Sequence, residues 1–165
     1  VENMSKFIKK YFTLEQQDSH ECLMYMLDYL HIGLCYEIEV DIQGTVKNEN
    51  DNLVKQSLEQ WKTFYEKRYS FIIEIFNGMF YNRITCNNCN KDENVFEPFN
   101  CISLNIDDNF LNLENCLDDY FFKAENIQTW NCESCNKQSS GCSKQIKAWS
   151  FPDYLIIHFK RFKNN

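Results

Sequence analysis

Two Cys-x-x-Cys knuckles, Cys86-Asn-Asn-Cys89 and Cys132-Glu-Ser-Cys135, constrain the fold of this chain more than any other feature. A two-residue gap lets a pair of thiolates turn around one ion, and four thiolates satisfy tetrahedral zinc. Two disulfides are the other chemistry open to the same spacing. From Cys89 to Cys132 the chain runs through 42 intervening residues, more than the roughly 15–20 of a compact zinc ribbon. The knuckles are therefore expected at the tips of two long strand hairpins that the fold must bring together. Each follows a strand-like run, Arg83-Ile84-Thr85 and Thr129-Trp130-Asn131. Four thiolates leave no position open for water, so zinc here would be structural.

The chain has nine cysteines, 165 residues and 44% hydrophobic content. That is enough for a core without disulfide staples, which favours metal and a reducing compartment, cytoplasmic or nuclear. Cys142 lies close enough to Cys135 to compete as a ligand but has no knuckle partner. Cys22, Cys35, Cys101 and Cys116 fall on apolar or patterned positions and are expected as small buried hydrophobes. None of the three histidines, His20, His31 and His158, makes a recognisable Cys–His dyad by spacing. A net charge of −7 argues against non-specific nucleic-acid binding and suits a basic protein or peptide partner. No run of apolar residues is long enough for a membrane span, and Val1–Lys10 lacks the apolar core of a signal peptide. With only four Gly and two Pro, many turns must be made by Asn, which tolerates left-handed geometry.

Thr13–Leu34, TLEQQDSHECLMYMLDYLHIGL, reads as a helix. Thr13 and Gln16 form a capping-box pattern. Leu23, Met26, Leu27, Leu30 and Leu34 make a helical stripe expected to face the core. Gln17, Asp18 and Glu21 share one face of the first turns, where acids favour the helix dipole. Phe7, Ile8, Tyr11 and Phe12 are expected to pack against this helix. Glu37–Asn52 reads as an acidic loop, and Leu53–Tyr69 as a second helix. Ser70 caps a short apolar turn, Phe71–Phe76, that closes near Gly78.

From Met79 the period changes. Met79–Cys86 and Val95–Ile106 read as strands, Asn112 caps a helix to about Glu125, and Ile127–Trp130 and Ser143–Ser150 are two shorter strands. Tyr154–Phe162, YLIIHFKRF, is apolar on both faces around Leu155-Ile156-Ile157, the pattern of a buried central strand. Helices first, then strands with one inserted helix, give an α+β fold.

Gln16-Gln17-Asp18-Ser19-His20-Glu21-Cys22-Leu23 resembles the Gln-Gln-Asp-Ala-His-Glu-Phe-Leu box of the ubiquitin-specific proteases, the ubiquitin carboxyl-terminal hydrolase family. Ser70–Cys89 is similar to that family's segment leading into its first zinc knuckle. Glu97-Pro98-Phe99 with Ile102-Ser103-Leu104 resembles its Glu-Pro-Phe…Leu-Ser-Leu strand, and Leu113–Phe121 the helix that follows. Trp130-Asn131-Cys132-x-x-Cys135 and Leu155–Phe162 resemble the second knuckle and the Leu-Ile-Ile-His-Leu-Lys-Arg-Phe strand. These motifs occur in the family's order and cover almost everything but the acidic loop.

The resemblance implies a partial papain-like fold: thumb helices over 1–69, fingers with a zinc ribbon over 70–150 and a palm strand over 151–165. It implies a deubiquitinating cysteine protease that cleaves the bond after ubiquitin's C-terminal glycine. It also implies zinc on Cys86, Cys89, Cys132 and Cys135, and ubiquitin as partner. Gln17, Asp18, Glu21 and Phe162 would contact ubiquitin's basic tail. The family's Asn-Thr-Cys box, which carries the nucleophile, and its Gly-His-Tyr box, which carries the base, are not in this sequence. Cys35-Tyr36 echoes the first but follows the Gln-Gln-Asp box and lacks its Asn and Thr. The expectation is therefore the middle of a catalytic domain, inactive by itself. The alternative is a catalytically inactive ubiquitin-binding scaffold of the same fold. Cys22 stands where the family has Phe, a smaller side chain in the local packing.

Overall fold

The computed structural model describes residues 16–107, 110–136 and 141–161, together with Lys6, Lys9 and Tyr11. Thr13, Phe7, Ile8, Phe12 and Phe162, each given a role above, lie outside the described residues. Helix α1 spans Ser19–Leu34, α2 Glu49–Tyr65 and α3 Phe71–Phe76. Strands β1 Gly78–Cys86, β2 Asp92–Phe99 and β3 Ile102–Asn105 follow, then α4 Leu113–Phe122, β4 Glu125–Ile127, β5 Cys142–Ser150 and β6 Ile157–Lys160. This is the α+β order expected.

Four strands form an antiparallel sheet in the order β2-β1-β5-β4. The alternation along β1 explains why both of its faces are buried. Met79 and Tyr81 point one way and pack with Phe96 under Leu53 and Trp61 of α2. Phe80 points the other way into a second cluster with Phe99, Ile102, Leu104 and Cys116, closed by Tyr120 and Phe121 of α4. Gly78 is required where β1 enters: a Cβ there would sit 2.6 Å from the Ser150 carbonyl oxygen and 2.7 Å from the Phe99 ring. The register between β1 and β5 shifts at Met79/Phe80, beside this contact.

Several expectations need correction. α1 begins at Ser19, not Thr13, because the Asp18 carboxylate takes the His20 amide at 2.8 Å and makes Asp18 the N-cap. Aspartate is among the strongest caps, and Gln16 and Gln17 are left ahead of the helix. The stripe Leu23, Met26, Leu30 and Leu34 is not a core face: these side chains keep between 39% and 56% of their surface exposed. Leu27 alone of α1 is buried, beside half-buried Met24 and His31, on the face turned to Ile72, Ile73 and Phe76. That buried face is centred between the predicted stripe and its polar flank. Tyr11 does meet the helix, its ring centroid 5.8 Å from that of Tyr25.

The second helix starts early, at Glu49, because the Asn48 side chain accepts from the Asp51 amide. Ser70 caps α3 as expected. The long strand Val95–Ile106 is two strands: the chain leaves β1 after Phe99 and, past Asn100 and Cys101, joins a different sheet. There β3 pairs in parallel with β6, Ile102 opposite Ile157 and Ser103 opposite His158. β6 is consequently no central strand. Among the described residues it has one neighbour, and Leu155 and Phe159 remain partly exposed. The short strand expected at Ile127–Trp130 falls at Glu125–Ile127, where it pairs with the start of β5 before the chain turns into the second knuckle. Of the four cysteines expected as buried hydrophobes, Cys116 is buried and Cys22, Cys35 and Cys101 are half-buried.

Candidate functional site

The fold brings both knuckles to one end of the four-stranded sheet. Cys86 is the last residue of β1, Cys89 lies in the turn to β2, and Cys132 and Cys135 lie in the connection from β4 to β5. The four sulfurs all fall within 4.8 Å of one another, with Cys89–Cys132 at 3.6 Å and Cys86–Cys135 at 4.0 Å. A Zn–S bond of about 2.3 Å gives a regular tetrahedron an edge of about 3.8 Å, between those two separations. All four are free thiols, so the alternative of two disulfides is not the one formed. The donor set fits zinc in charge, softness and number.

The surroundings also suit a cation. The Lys91 amide favours the Cys89 thiolate, but desolvation and the crowding of Cys86, Cys132 and Cys135 outweigh it and push the thiol up to about 11. Thiols this close resist ionising until a metal shares their charge. The Asn88 amide and side chain donate to Cys86 and Cys135 sulfurs at 3.4 and 3.5 Å, the outer bonds that orient thiolate ligands. Asn90 and Asn136, each just past the second cysteine of its knuckle, hold left-handed backbone at φ 54° and 50°. The scarcity of Gly predicts Asn at such turns, and the repeated Cys-x-x-Cys-Asn is the sequence signal that locates these two. Cys142 lies opposite Cys86 in register and is fully buried, in the sheet.

Away from the four-stranded sheet, where β3 pairs with β6, the start of α1 meets β6. An open cleft of about 440 Å³ is lined by Ser19, His20 and Leu23 on one side and Ile157, His158 and Arg161 on the other. Asp18 caps the helix at this edge through one carboxylate oxygen, leaving the other for a further donor. Gln17 precedes it and is half-buried, and Glu21 is in the first helical turn. Gln17 and Asp18 therefore lie ahead of the helix rather than on one of its faces. The His20 and His158 rings stack at 4.1 Å with 10° between their planes. Ser103 Oγ lies 3.3 Å from His158 Nδ1. Burial, and then the neighbouring His20, lower the His158 pKa from its ordinary value. Spacing along the chain gave no signal for this pair, which only the parallel pairing of β3 with β6 and its packing on α1 creates.

The model of the family described as "Ubiquitin carboxyl-terminal hydrolase" matches residues 1–165. The chain belongs to the ubiquitin carboxyl-terminal hydrolase family. Ubiquitin carboxyl-terminal hydrolase 4 of Saccharomyces cerevisiae is 30% identical over 165 residues, covering 92% of this chain and 18% of the yeast protein. A probable ubiquitin carboxyl-terminal hydrolase of Acanthamoeba polyphaga mimivirus is 37% identical over 122 residues, 68% of this chain and 25% of its own length. A solved structure of a SAGA DUB module containing Ubp8, Sgf11, Sus1 and Sgf73 shares the fold, with a TM-score of 0.59 and 23% identity over 91% of this chain and 30% of that one. The resemblance read from the motifs is thus upheld, and with it the partial ubiquitin carboxyl-terminal hydrolase fold. The chain spans about a fifth of the length of its yeast relative. Among the described residues, no helix of this family member is long and apolar enough to cross a membrane.

Proposed function

We propose that these residues form the ubiquitin-holding part of a deubiquitinating cysteine protease. In this reading 1–69 is thumb, 70–150 the fingers and 151–165 the palm strand, with β3 laid beside it. The observation that carries the proposal is the cleft between the start of α1 and β6, edged by Asp18 and built from two of the family's motif segments.

Ubiquitin's basic C-terminal tail would run along this edge. The uncommitted Asp18 oxygen accepts a charge-assisted bond from a tail arginine, stronger than a neutral one. Gln17 bonds the extended tail backbone, Glu21 adds negative charge, and Phe162 is the fourth residue assigned to the tail. The net charge of −7 draws a basic tail in a salt-sensitive way. Zinc on Cys86, Cys89, Cys132 and Cys135 fixes the fingertip and takes no part in the chemistry, since the four thiolates fill its coordination. The nine free thiols and the cluster support a reducing compartment.

Hydrolysis of the bond after ubiquitin's terminal glycine requires a thiolate and a histidine base. Both are assigned to positions outside these 165 residues, because the chain carries neither family box. That same absence supports the second reading, a ubiquitin-binding scaffold without turnover. A ubiquitin probe bearing a C-terminal electrophile separates the two when mixed with the full-length protein. Covalent labelling is expected. Ubiquitin binding without labelling would establish the scaffold, and neither binding nor labelling would reject both.

A further inference from the structure

We infer that the stacked His20–His158 pair is a pH-sensitive positioning clasp, which holds the start of α1 and its cap Asp18 against β6 while both imidazoles are neutral and lets go when they are protonated. The inference deepens the tail-channel reading above and rests on it for its consequence in binding, although the clasp itself does not.

The geometry is that of a neutral pair. The rings lie 4.1 Å apart and nearly parallel, an arrangement that two like charges oppose. Among the described residues, His20 Nε2 is buried with no hydrogen-bond partner, so a protonated ring would bury an N–H with no acceptor there. On the other ring, Ser103 Oγ meets His158 Nδ1 at 3.3 Å. A hydroxyl serves as donor to the neutral ring and acceptor from the charged one. That bond survives protonation, and the stack is what fails.

The charges around the pair act mostly in the same direction. On β6 and just past it, Lys160 and Arg161 oppose a proton on His158. From α1, His20 opposes it as well, and Asp18 favours it. From the turn before β3, Cys101 sets its sulfur against the His158 backbone amide and contributes no formal charge as a thiol. The balance lowers the His158 pKa, with burial the first cause. A lowered histidine pKa places the stabilised neutral state above the ordinary imidazole value, with loss as pH falls below it. The mechanical link to the tail contact is short. Asp18 is bonded to the His20 amide at 2.8 Å, so displacement of His20 moves the carboxylate from the cleft edge. His20 and His158 are positioning residues: they act through Asp18.

The test uses the full-length protein, wild type and His158→Phe, titrated with ubiquitin by calorimetry at about pH 7.5 and about pH 5.5, one unit either side of the ordinary imidazole value. Wild type is expected to lose affinity about tenfold between the two, and His158→Phe, which keeps an aromatic face but no titrating nitrogen, at most about twofold. Equal losses in the two proteins would overturn the clasp. Ring-proton NMR gives a readout independent of ubiquitin. The His158 midpoint should rise in His20→Phe, because His20 is one of the groups that lower it, and an unchanged midpoint would overturn the pairing. Should Phe at position 20 prevent folding, His20→Asn read through the same His158 midpoint asks the same question. Absence of ubiquitin binding at either pH would reject the tail-channel reading, and the midpoints would still decide the clasp.

Discussion

Removing metal from the four knuckle cysteines is expected to loosen one end of the ribbon sheet and leave the other intact. The sulfurs of Cys86 and Cys135, and of Cys89 and Cys132, are the links that tie the β1–β2 turn to the β4–β5 connection. Three amides report on that end: Cys86 bonded to the Lys91 carbonyl, Asn87 to Gly141 and Asn90 to Cys86. With free zinc buffered about a thousandfold above its dissociation constant, linkage stabilises the closed end by about 4 kcal/mol. That is roughly three powers of ten in the local opening constant, so chelation should speed exchange of these amides by up to about a thousandfold. Phe80 and Tyr81, farther along β1, sit in the clusters beneath α4 and α2. Their amides should change by less than about tenfold, because opening there requires breaking a hydrophobic core. Hydrogen exchange of the full-length protein with and without chelator measures both ends at once, and metal analysis should find one zinc at this cluster. Equal exchange at Cys86, Asn87 and Asn90 in the two conditions would refute the reasoning.

Substitutions at three further positions probe the scaffold. Gly78→Ala pushes a Cβ into the Ser150 carbonyl, which is backbone and cannot swing away, and should lower stability by about 1–3 kcal/mol in a denaturant titration; an unchanged midpoint would mean the sheet yields freely. Ser70→Ala removes the α3 cap and the partner of His31 Nδ1, which lies 2.8 Å from the Ser70 hydroxyl, and should cost about 2 kcal/mol by the same measurement. Asn90→Ala should cost about 1–2 kcal/mol and Asn90→Gly nothing, since only the left-handed backbone is at stake; equal effects would contradict that account.

The parts of this fold governed by local chemistry were readable in advance. Ser70 before an apolar turn, Asn112 before Leu113–Phe122, and the β-rich runs ending at Cys86 and Ser150 all fall close to where the residues predict. Metal-ligand spacing likewise picked out the four sulfurs that the fold gathers. What failed depended on partners distant in the chain. The α1 stripe through Leu23, Met26, Leu30 and Leu34 is a real apolar periodicity, but periodicity cannot say which side meets α3, and Leu27 with Met24 and His31 does. Val95–Ile106 has unbroken strand composition, yet the chain changes sheets at Asn100 and Cys101 because β3 finds its partner in β6. The Thr13–Gln16 pattern and Asp18 both suit a helix start, and it is the Asp18 carboxylate that takes the His20 amide, so Gln17 and Asp18 lie off the helix.

Asp18 also offers the most direct test of the tail channel. Asparagine caps a helix as well as aspartate does, so Asp18→Asn keeps the bond to His20 and removes only the charge. The measurement is the affinity of the full-length protein for intact ubiquitin and for ubiquitin lacking its C-terminal tail, each with wild type and Asp18→Asn. The account predicts about a tenfold loss for intact ubiquitin, as expected when a charge-assisted bond is weakened, and no effect of the substitution on the truncated form. An equal effect on both ubiquitins, or none on either, would contradict it.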